Sequence, residues 1–201
     1  MPEKPLKSVK YVVIITGTPC VGKTSVARLL AERLNALYVN LTDLATRENL
    51  VLGVDEQRNS LIIDEGKMRR KIGKIVREAD GHVVVDGHYA PHVVSRKLST
   101  HVFVLRRNPV ELRKFMEKRG FSGRKLWENL ASEILDVCLF DALKKHGREK
   151  VCELDVTGKS EEAIANEIIG VLVGAKKCRV GVVDWLGLLE KEGLTEEYLR
   201  I

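Results

Sequence analysis

The chain has 201 residues, of which 44% are apolar and 31% charged, and its formal net charge is +6. This length suits one globular domain, with room for a small appendage. No apolar run approaches the roughly 18 residues of a membrane span, and the first residues lack the apolar core of a signal peptide, so we expect a cytoplasmic protein. Cysteines at 20, 138, 152 and 178 show no C-x-x-C spacing, which argues against a zinc site or a disulfide framework.

After a leader of residues 1–9, the first chemical signal is a glycine loop. The segment Gly17-Thr18-Pro19-Cys20-Val21-Gly22-Lys23-Thr24 matches G-x-x-x-x-G-K-[ST]. An apolar strand over about 10–16 precedes it, and a helix to about Asn35 follows. These three parts form a phosphate cradle, since the N–H groups of the loop and of the helix start point at one spot. Lys23 is placed to meet β- and γ-phosphates, and Thr24 to hold Mg²⁺.

The rest of the chain alternates between predicted strands and helices. Further strands are predicted over 36–40, 82–86, 101–105 and 150–154. Helices are predicted over about 44–50 (capped by Thr42 or Asp43), 63–79, from Pro109, over 125–146, and from Ser160 to Gly174, whereas 51–59 shows little periodicity. The pattern predicts an α/β fold, a three-layer sandwich around a five-stranded parallel sheet, with ligands at the carboxyl ends of the strands.

Asp86 and His88 follow the third strand of this sheet. Three valines deliver Asp86 next to the glycine loop, which is the arrangement of a magnesium-binding Walker B acid. His88 is placed to orient an attacking water or a phosphate. We interpret His92, further along the same segment, as a surface residue.

Positive charge concentrates between Arg106 and Lys125, a segment that contains eight Lys and Arg residues and two acids. Such a field suits a polyphosphate or a nucleic acid. Within it, Arg119 opens Arg119-Gly120-Phe121-Ser122-Gly123-Arg124-Lys125, which we interpret as a mobile basic lid that closes on a transferring phosphoryl group. The apolar pattern of the tail, residues 175–201, predicts one or two short helices. These either pack on the sheet or form a surface for a partner.

Several segments together resemble the adenylate kinase isoenzyme 6 family, also called coilin-interacting nuclear ATPases, and its archaeal relatives. They are the glycine loop, Tyr38–Asp43, Val85-Asp86-Gly87-His88, Val104–Arg106, Arg119–Phe121 with Lys125-Leu126, and Glu133-Ile134. The resemblance covers about residues 10–173. It implies a P-loop NTPase fold of the nucleoside monophosphate kinase type over 1–174, with a monophosphate-binding segment at about 40–63 and a lid at about 118–128, and leaves 175–201 as a helical extension.

The resemblance implies phosphoryl transfer from ATP to a nucleoside monophosphate such as AMP, ATP hydrolysis, and Mg²⁺ as the cofactor. It also implies a role in late small-subunit maturation on pre-30S or pre-40S particles, through ribosomal protein uS11. The implied catalytic residues are Lys23, Asp86, His88 and Arg119, and the implied metal ligands are Thr24 and Asp86. The ATP-binding residues would be Gly17, Pro19, Cys20, Val21, Gly22, Lys23, Thr24, Ser25, Arg119 and Lys159, and the monophosphate-binding residues Asn40, Asp43 and Arg47.

Two residues depart from the family pattern. Cys20 stands where glycine is usual, and Phe115 where an arginine often precedes the lid. If neither Arg113 nor Lys114 replaces that arginine, we expect monophosphate kinase activity to be weaker than hydrolysis. The alternatives are a ribosome-assembly switch that docks uS11 through acids of the 40–65 region, and a small-molecule kinase on the same fold with no ribosomal role.

Overall fold

The computed structural model describes residues 10–55 and 60–199. The predicted leader, Glu56 among the acids of the 40–65 region and Arg58 in the predicted monophosphate-binding segment lie outside the described residues. The strands are β1 (Val12–Thr16), β2 (Leu37–Asn40), β3 (Val51–Asp55), β4 (Ser60–Ile63), β5 (Val83–Asp86), β6 (His101–Arg106) and β7 (Val151–Asp155). The helices are α1 (Lys23–Arg33), α2 (Leu41–Arg47), α3 (Glu65–Glu78), α4 (Ala90–Val93), α5 (Pro109–Lys118), α6 (Gly123–Ile134), α7 (Val137–His146), α8 (Glu161–Leu172), α9 (Trp185–Glu192) and α10 (Thr195–Tyr198).

A parallel five-stranded sheet in the order β2-β5-β1-β6-β7 forms the middle layer. Successive side chains of a strand point to opposite faces. Val12 and Ile14 therefore pack into the core with α2, α3 and α7, while Val13 and Ile15 pack into the other core with α1, α6 and α8. The predicted three-layer sandwich with a five-stranded parallel sheet is confirmed.

Residues 51–55 and 60–63 differ from the sequence prediction. They form two antiparallel strands, β3 paired with β4, in place of an irregular segment and the start of a helix. Several of their apolar side chains, such as Leu52 and Val54, are exposed, so no buried stripe marked these strands in the sequence. The preceding helix, α2, begins at Leu41 and not near Leu44, because the Asn40 side chain accepts hydrogen bonds from the N–H groups of Thr42 and Asp43.

The predicted helix over 125–146 is two helices, α6 and α7. Asp136 separates them in a left-handed conformation with φ of 59°. Its carboxylate pairs with the Arg106 guanidinium, and the adjacent Val137 is 44% exposed. A contact with a distant strand therefore interrupts a periodicity that is continuous in the sequence.

Arg106 is the centre of a buried ionic cluster. Its guanidinium donates to Glu133 on α6 at 2.9 Å and to Glu153 on β7 at 2.7 Å, and all three side chains are at most 1% exposed. The neighbouring Arg107 is buried too and pairs with Glu111. The segment 106–125 is therefore not the continuous basic surface that its composition predicts, because its first two arginines are directed inward.

The tail returns to the sheet. Trp185, Leu189 and Tyr198 are buried, and Leu189 and Tyr198 belong to the core that lies on the α1 side. Cys152 on β7 forms a disulfide with Cys178, 26 residues further on. The expectation of no disulfide was wrong, because spacing along the chain says nothing about two cysteines that the fold brings side by side.

No helix in the described part of the chain combines the length and the apolar character that a bilayer crossing demands. This finding agrees with the absence of a long apolar run in the sequence.

The buried cluster predicts a large loss of stability in Arg106→Met. The substitution would leave Glu133 and Glu153 buried without their cation, and removing one partner of a buried pair costs about 3–5 kcal/mol. Arg124→Met is the control, since the Arg124 side chain is 78% exposed and its ion pair with Glu128 is a surface contact worth at most about 1 kcal/mol. Urea unfolding of both variants measures the difference, and equal midpoints would contradict the assignment.

Candidate active site

The glycine loop connects β1 to α1 at the carboxyl end of the sheet. Gly17 has φ of 138°, and a Cβ there would lie 2.4 Å from the carbonyl oxygen of Leu105, so no other residue fits without a shift. Gly22, with φ of 104°, precedes α1 in a left-handed conformation. Lys23 Nζ donates to the Thr18 carbonyl at 2.8 Å, which holds the ammonium over the loop. Burial lowers the pKa of Lys23, while the Asp86 carboxylate opposes this shift.

Asp86 ends β5 beside this loop and is 1% exposed. Its Oδ2 accepts from Thr24 Oγ1 at 2.8 Å, Asn40 Nδ2 at 2.8 Å and the Tyr38 hydroxyl at 3.0 Å. These three donors all meet the same carboxylate oxygen. A carboxylate beside a hydroxyl is an oxygen donor set that suits Mg²⁺.

His88 lies on the loop after β5. Thr16 Oγ1 donates to the His88 carbonyl at 3.1 Å, and the ring of Tyr89 lies edge-on at 5.0 Å. His88 is exposed at the wall of a cleft. The protein that surrounds this cleft desolvates the imidazole and, together with the Lys23 charge, lowers the pKa of His88 to about 4, although Asp86 acts in the opposite direction. His88 is therefore neutral at neutral pH.

A cleft of about 680 Å³ separates the glycine loop from α6 and α7. Thr18 and Pro19 line it on one side, His88 below, and Phe121 and Lys125 of the predicted lid opposite. His92, interpreted from the sequence as a surface residue, is partly exposed and also lines this cleft, with Nε2 at 3.1 Å from Asp141 Oδ2. The loop after β5 turns through α4, which directs this side chain back towards the phosphate end.

A smaller cavity of about 280 Å³ lies on the other side of His88. Its lining includes Thr42 of α2, Ile63 of β4 and Tyr89. The Tyr89 hydroxyl donates to the Leu41 carbonyl at 3.1 Å, which joins the loop after β5 to the start of α2. This cavity falls within the segment for which a monophosphate site is predicted.

Arg119 follows α5 at the edge of the cleft. Its positive charge opposes the burial that raises the pKa of the Cys20 thiol. Cys20 itself has φ of 69°, a left-handed conformation that favours glycine. Its half-buried side chain packs against the core on the α1 side. The side chain at position 20 is therefore accommodated against this core.

Several residues predicted for the site are directed elsewhere. Lys159 pairs with Glu167 at 2.9 Å, outside the cleft. Arg47 is 71% exposed and lies 3.8 Å from Glu48. Asp43 is exposed in the first turn of α2. Asn40, by contrast, contacts Asp86 and caps α2, as described above.

The two candidate replacements for the arginine missing at position 115 have different environments. Arg113 pairs with Glu117 and Glu197 and lies over the rings of Trp127 and Tyr198, so it is directed towards the tail. Lys114 is exposed on the same helix. Arg107 lies 4.9 Å from the centre of the Phe115 ring and donates to the Val21 carbonyl of the glycine loop.

The sequence interpretation missed Tyr38 and Glu133 as parts of the site. Tyr38 precedes Asn40 by two residues on a strand that pairs with β5, and this spacing places both side chains on the face that meets Asp86. Glu133 is an acid among the apolar residues of α6, and it accepts from Thr18 Oγ1 at 2.5 Å. A buried acid within an apolar stripe was the available signal.

Comparison with known proteins adds independent findings. A family model described as an AAA domain matches residues 13–136. A Thermococcus kodakarensis protein named "Putative adenylate kinase" is 39% identical over 175 residues, which covers 87% of this chain and 92% of the relative. A Methanocaldococcus jannaschii protein of the same name is 37% identical over 173 residues, covering 86% and 92%. A gluconokinase structure from Sinorhizobium meliloti 1021 superposes with a TM-score of 0.54 at 17% identity over 81% of this chain and 91% of that chain, a likeness of fold alone.

The geometry predicts that His88 stays neutral until the pH approaches 4. Between its usual value near 6.5 and 4, the unfolded chain binds the proton and the folded chain does not, so this group lowers stability as the pH falls through that window. NMR titration of the imidazole measures the pKa. Lys23→Met should raise the pKa of His88, since a nearby positive charge is removed. Lys74→Met, which changes an exposed lysine of α3, should leave this pKa unchanged. A wild-type pKa near 6.5 would contradict the described environment.

Proposed function

We propose that this chain, which belongs to the adenylate-kinase-like family of these archaeal relatives, is an ATP-dependent nucleoside monophosphate kinase. It would convert ATP and AMP into two ADP. The observation that carries the proposal is the contact of Thr24 with Asp86 directly beside Lys23, at the carboxyl end of the sheet. The division into a kinase domain over 1–174, a monophosphate segment at 40–63, a lid at 118–128 and an extension from 175 belongs to this proposal.

The proposed mechanism assigns positioning and charge to this chain's own residues. The backbone N–H groups of the glycine loop hold the β-phosphate, with Ser25 beside them on α1, and Lys23 leaves the Thr18 carbonyl for the γ-phosphate. Thr24 and Asp86 would hold Mg²⁺, which neutralises phosphate charge when it is bound with ATP. Arg119, at the cleft edge beside Cys20, is directed at the transferring group as the lid closes.

His88 is the proposed link between kinase activity and hydrolysis. A neutral imidazole between the 680 Å³ cleft and the 280 Å³ cavity suits a group that orients either an acceptor phosphate or a water. Without an acceptor, a water in its place would yield ATP hydrolysis. ATPase activity is therefore proposed as a second outcome of the same site.

The acceptor site is sparingly charged within the described residues. Arg47 contacts Glu48 and Arg113 contacts Glu197, which leaves Lys114 as the remaining candidate from the sequence analysis. Weak neutralisation of the acceptor phosphate supports a kinase rate below the rate of hydrolysis.

A role in small-subunit maturation through uS11 is proposed from the family resemblance alone. Of the acids considered for docking, Glu48 pairs with Lys71, and Asp64 accepts from the Lys67 N–H at the start of α3. Asp43 and Glu65 are the described acids in that region for which exposure favours a docking role.

The test of the proposed function is turnover of purified protein with ATP alone and with ATP plus each nucleoside monophosphate. We expect ADP in both experiments, with two ADP formed per ATP consumed when AMP is the acceptor. A second expected result is a slower AMP-dependent rate than the basal rate. Formation of ADP with no response to any monophosphate would contradict kinase activity and leave a nucleotide-dependent switch.

Lys23→Ala should lower turnover by about 10²-fold or more, the usual cost of losing one preorganised charge contact at a reacting phosphate. Lys74→Ala is the matched control, because Lys74 is an exposed lysine paired with Glu78 on α3. Steady-state kinetics of both variants measure the effect. Near-normal turnover in Lys23→Ala would remove the glycine loop from the mechanism.

A further inference from the structure

We propose that Trp185, in the tail beyond the family match at 13–136, is a positioning residue for the glycine loop and acts through Glu133 on Thr18. This inference rests on the proposed nucleotide site, because it assigns the tail a part in holding the residues that meet phosphate.

A single carboxylate joins the tail to the loop. Trp185 is 7% exposed, and its Nε1 donates to Glu133 Oε1 at 3.0 Å. The other oxygen, Oε2, accepts from Thr18 Oγ1 at 2.5 Å. The carbonyl of the same Thr18 holds Lys23 Nζ at 2.8 Å. A displacement of the Glu133 carboxylate therefore reaches the loop lysine through one intervening residue.

The burial of Glu133 makes its hydrogen-bond donors important. It is 1% exposed, and Oε1 also accepts from Arg106 Nε at 2.9 Å and from the Arg107 N–H at 3.0 Å. A buried charge has no water to replace a lost donor. Because the two oxygens of a carboxylate are rigidly joined, loss of the indole donor on Oε1 changes the position of Oε2 and hence of Thr18.

The structure fixes Trp185 tightly enough for this role. Glu153 Oε2, in the buried cluster, accepts from the N–H groups of Gly181 at 2.6 Å and Val182 at 2.9 Å. The Cys152–Cys178 disulfide attaches the start of the tail to the same strand. Asp184 then caps α9 by accepting from the Gly187 N–H at 2.9 Å, which fixes the start of the helix and therefore the position of the Trp185 indole.

The test compares Trp185→Phe with Tyr198→Phe. Each substitution removes one polar group from a buried aromatic ring of the tail, but Tyr198 lies beside Arg113 and Trp127, away from the glycine loop. Without nucleotide, the amide protons of residues 17–23 should exchange about 10-fold faster in Trp185→Phe than in the wild-type chain. A change of about 10-fold is what the loss of one hydrogen bond to a charged group typically produces. Tyr198→Phe should leave the exchange rate of this loop at the wild-type value.

A double-mutant cycle separates positioning from general stability. Thr18→Val removes the hydroxyl that donates to Glu133, so Trp185→Phe should lower the kcat/KM for ATP by about 10-fold in the wild-type chain and hardly at all in Thr18→Val. Additive effects, or equal loop exchange in the two tail variants, would overturn the proposal. Because hydrogen exchange needs no nucleotide, it decides the positioning role even if ATP turnover, and with it the proposed function, fails.

Discussion

The buried guanidinium of Arg106 organises both the core and the site. One cation at the end of β6 meets Glu133 on α6, Asp136 at the break before α7 and Glu153 on β7. A cluster of this kind is stable only when every oxygen finds a donor, because desolvation of charges otherwise exceeds their attraction. The remaining donors come from Thr18, the Arg107 N–H, Trp185 and the tail backbone at Gly181 and Val182. The glycine loop, α6 and the tail therefore share one electrostatic centre.

This arrangement changes the meaning of the basic segment. A count of lysines and arginines over 106–125 predicts a positive surface, yet Arg106 and Arg107 neutralise buried acids and Arg113 binds the tail. The charge that remains near the cleft is concentrated at Lys23, Arg119 and Lys125, next to the loop itself. A few cations placed next to one another suit a phosphoryl group better than they suit a nucleic acid, which binds to a broad positive surface.

The two cavities on either side of His88 connect the proposed donor and acceptor sites. Asp86 is fixed by three hydrogen bonds, and the loop after it by Thr16 and by the Tyr89 contact with Leu41. These contacts fix the side of the site that β1 and β5 form, and in the proposed function the predicted lid at 118–128 is the part that responds to ligand. The left-handed Cys20 lies near Arg119 of that predicted lid.

The sequence by itself determined the five parallel strands, the glycine loop and the placement of Asp86 after an apolar strand, because buried strands and helix starts have local signatures in residue type and spacing. Only the tertiary structure decided the break at Asp136, the pairing of β3 with β4, the disulfide between Cys152 and Cys178, the inward direction of Arg106 and the contact of His92 with Asp141. Apart from the pairing of β3 with β4, each of these depends on two segments that are far apart in the chain and meet in the fold. The strands β3 and β4 leave apolar side chains exposed, and Asp136 turns because a distant arginine pairs with it. The sequence pattern records which residues prefer to be buried, whereas the partner of a buried charge is set by how the layers close on one another.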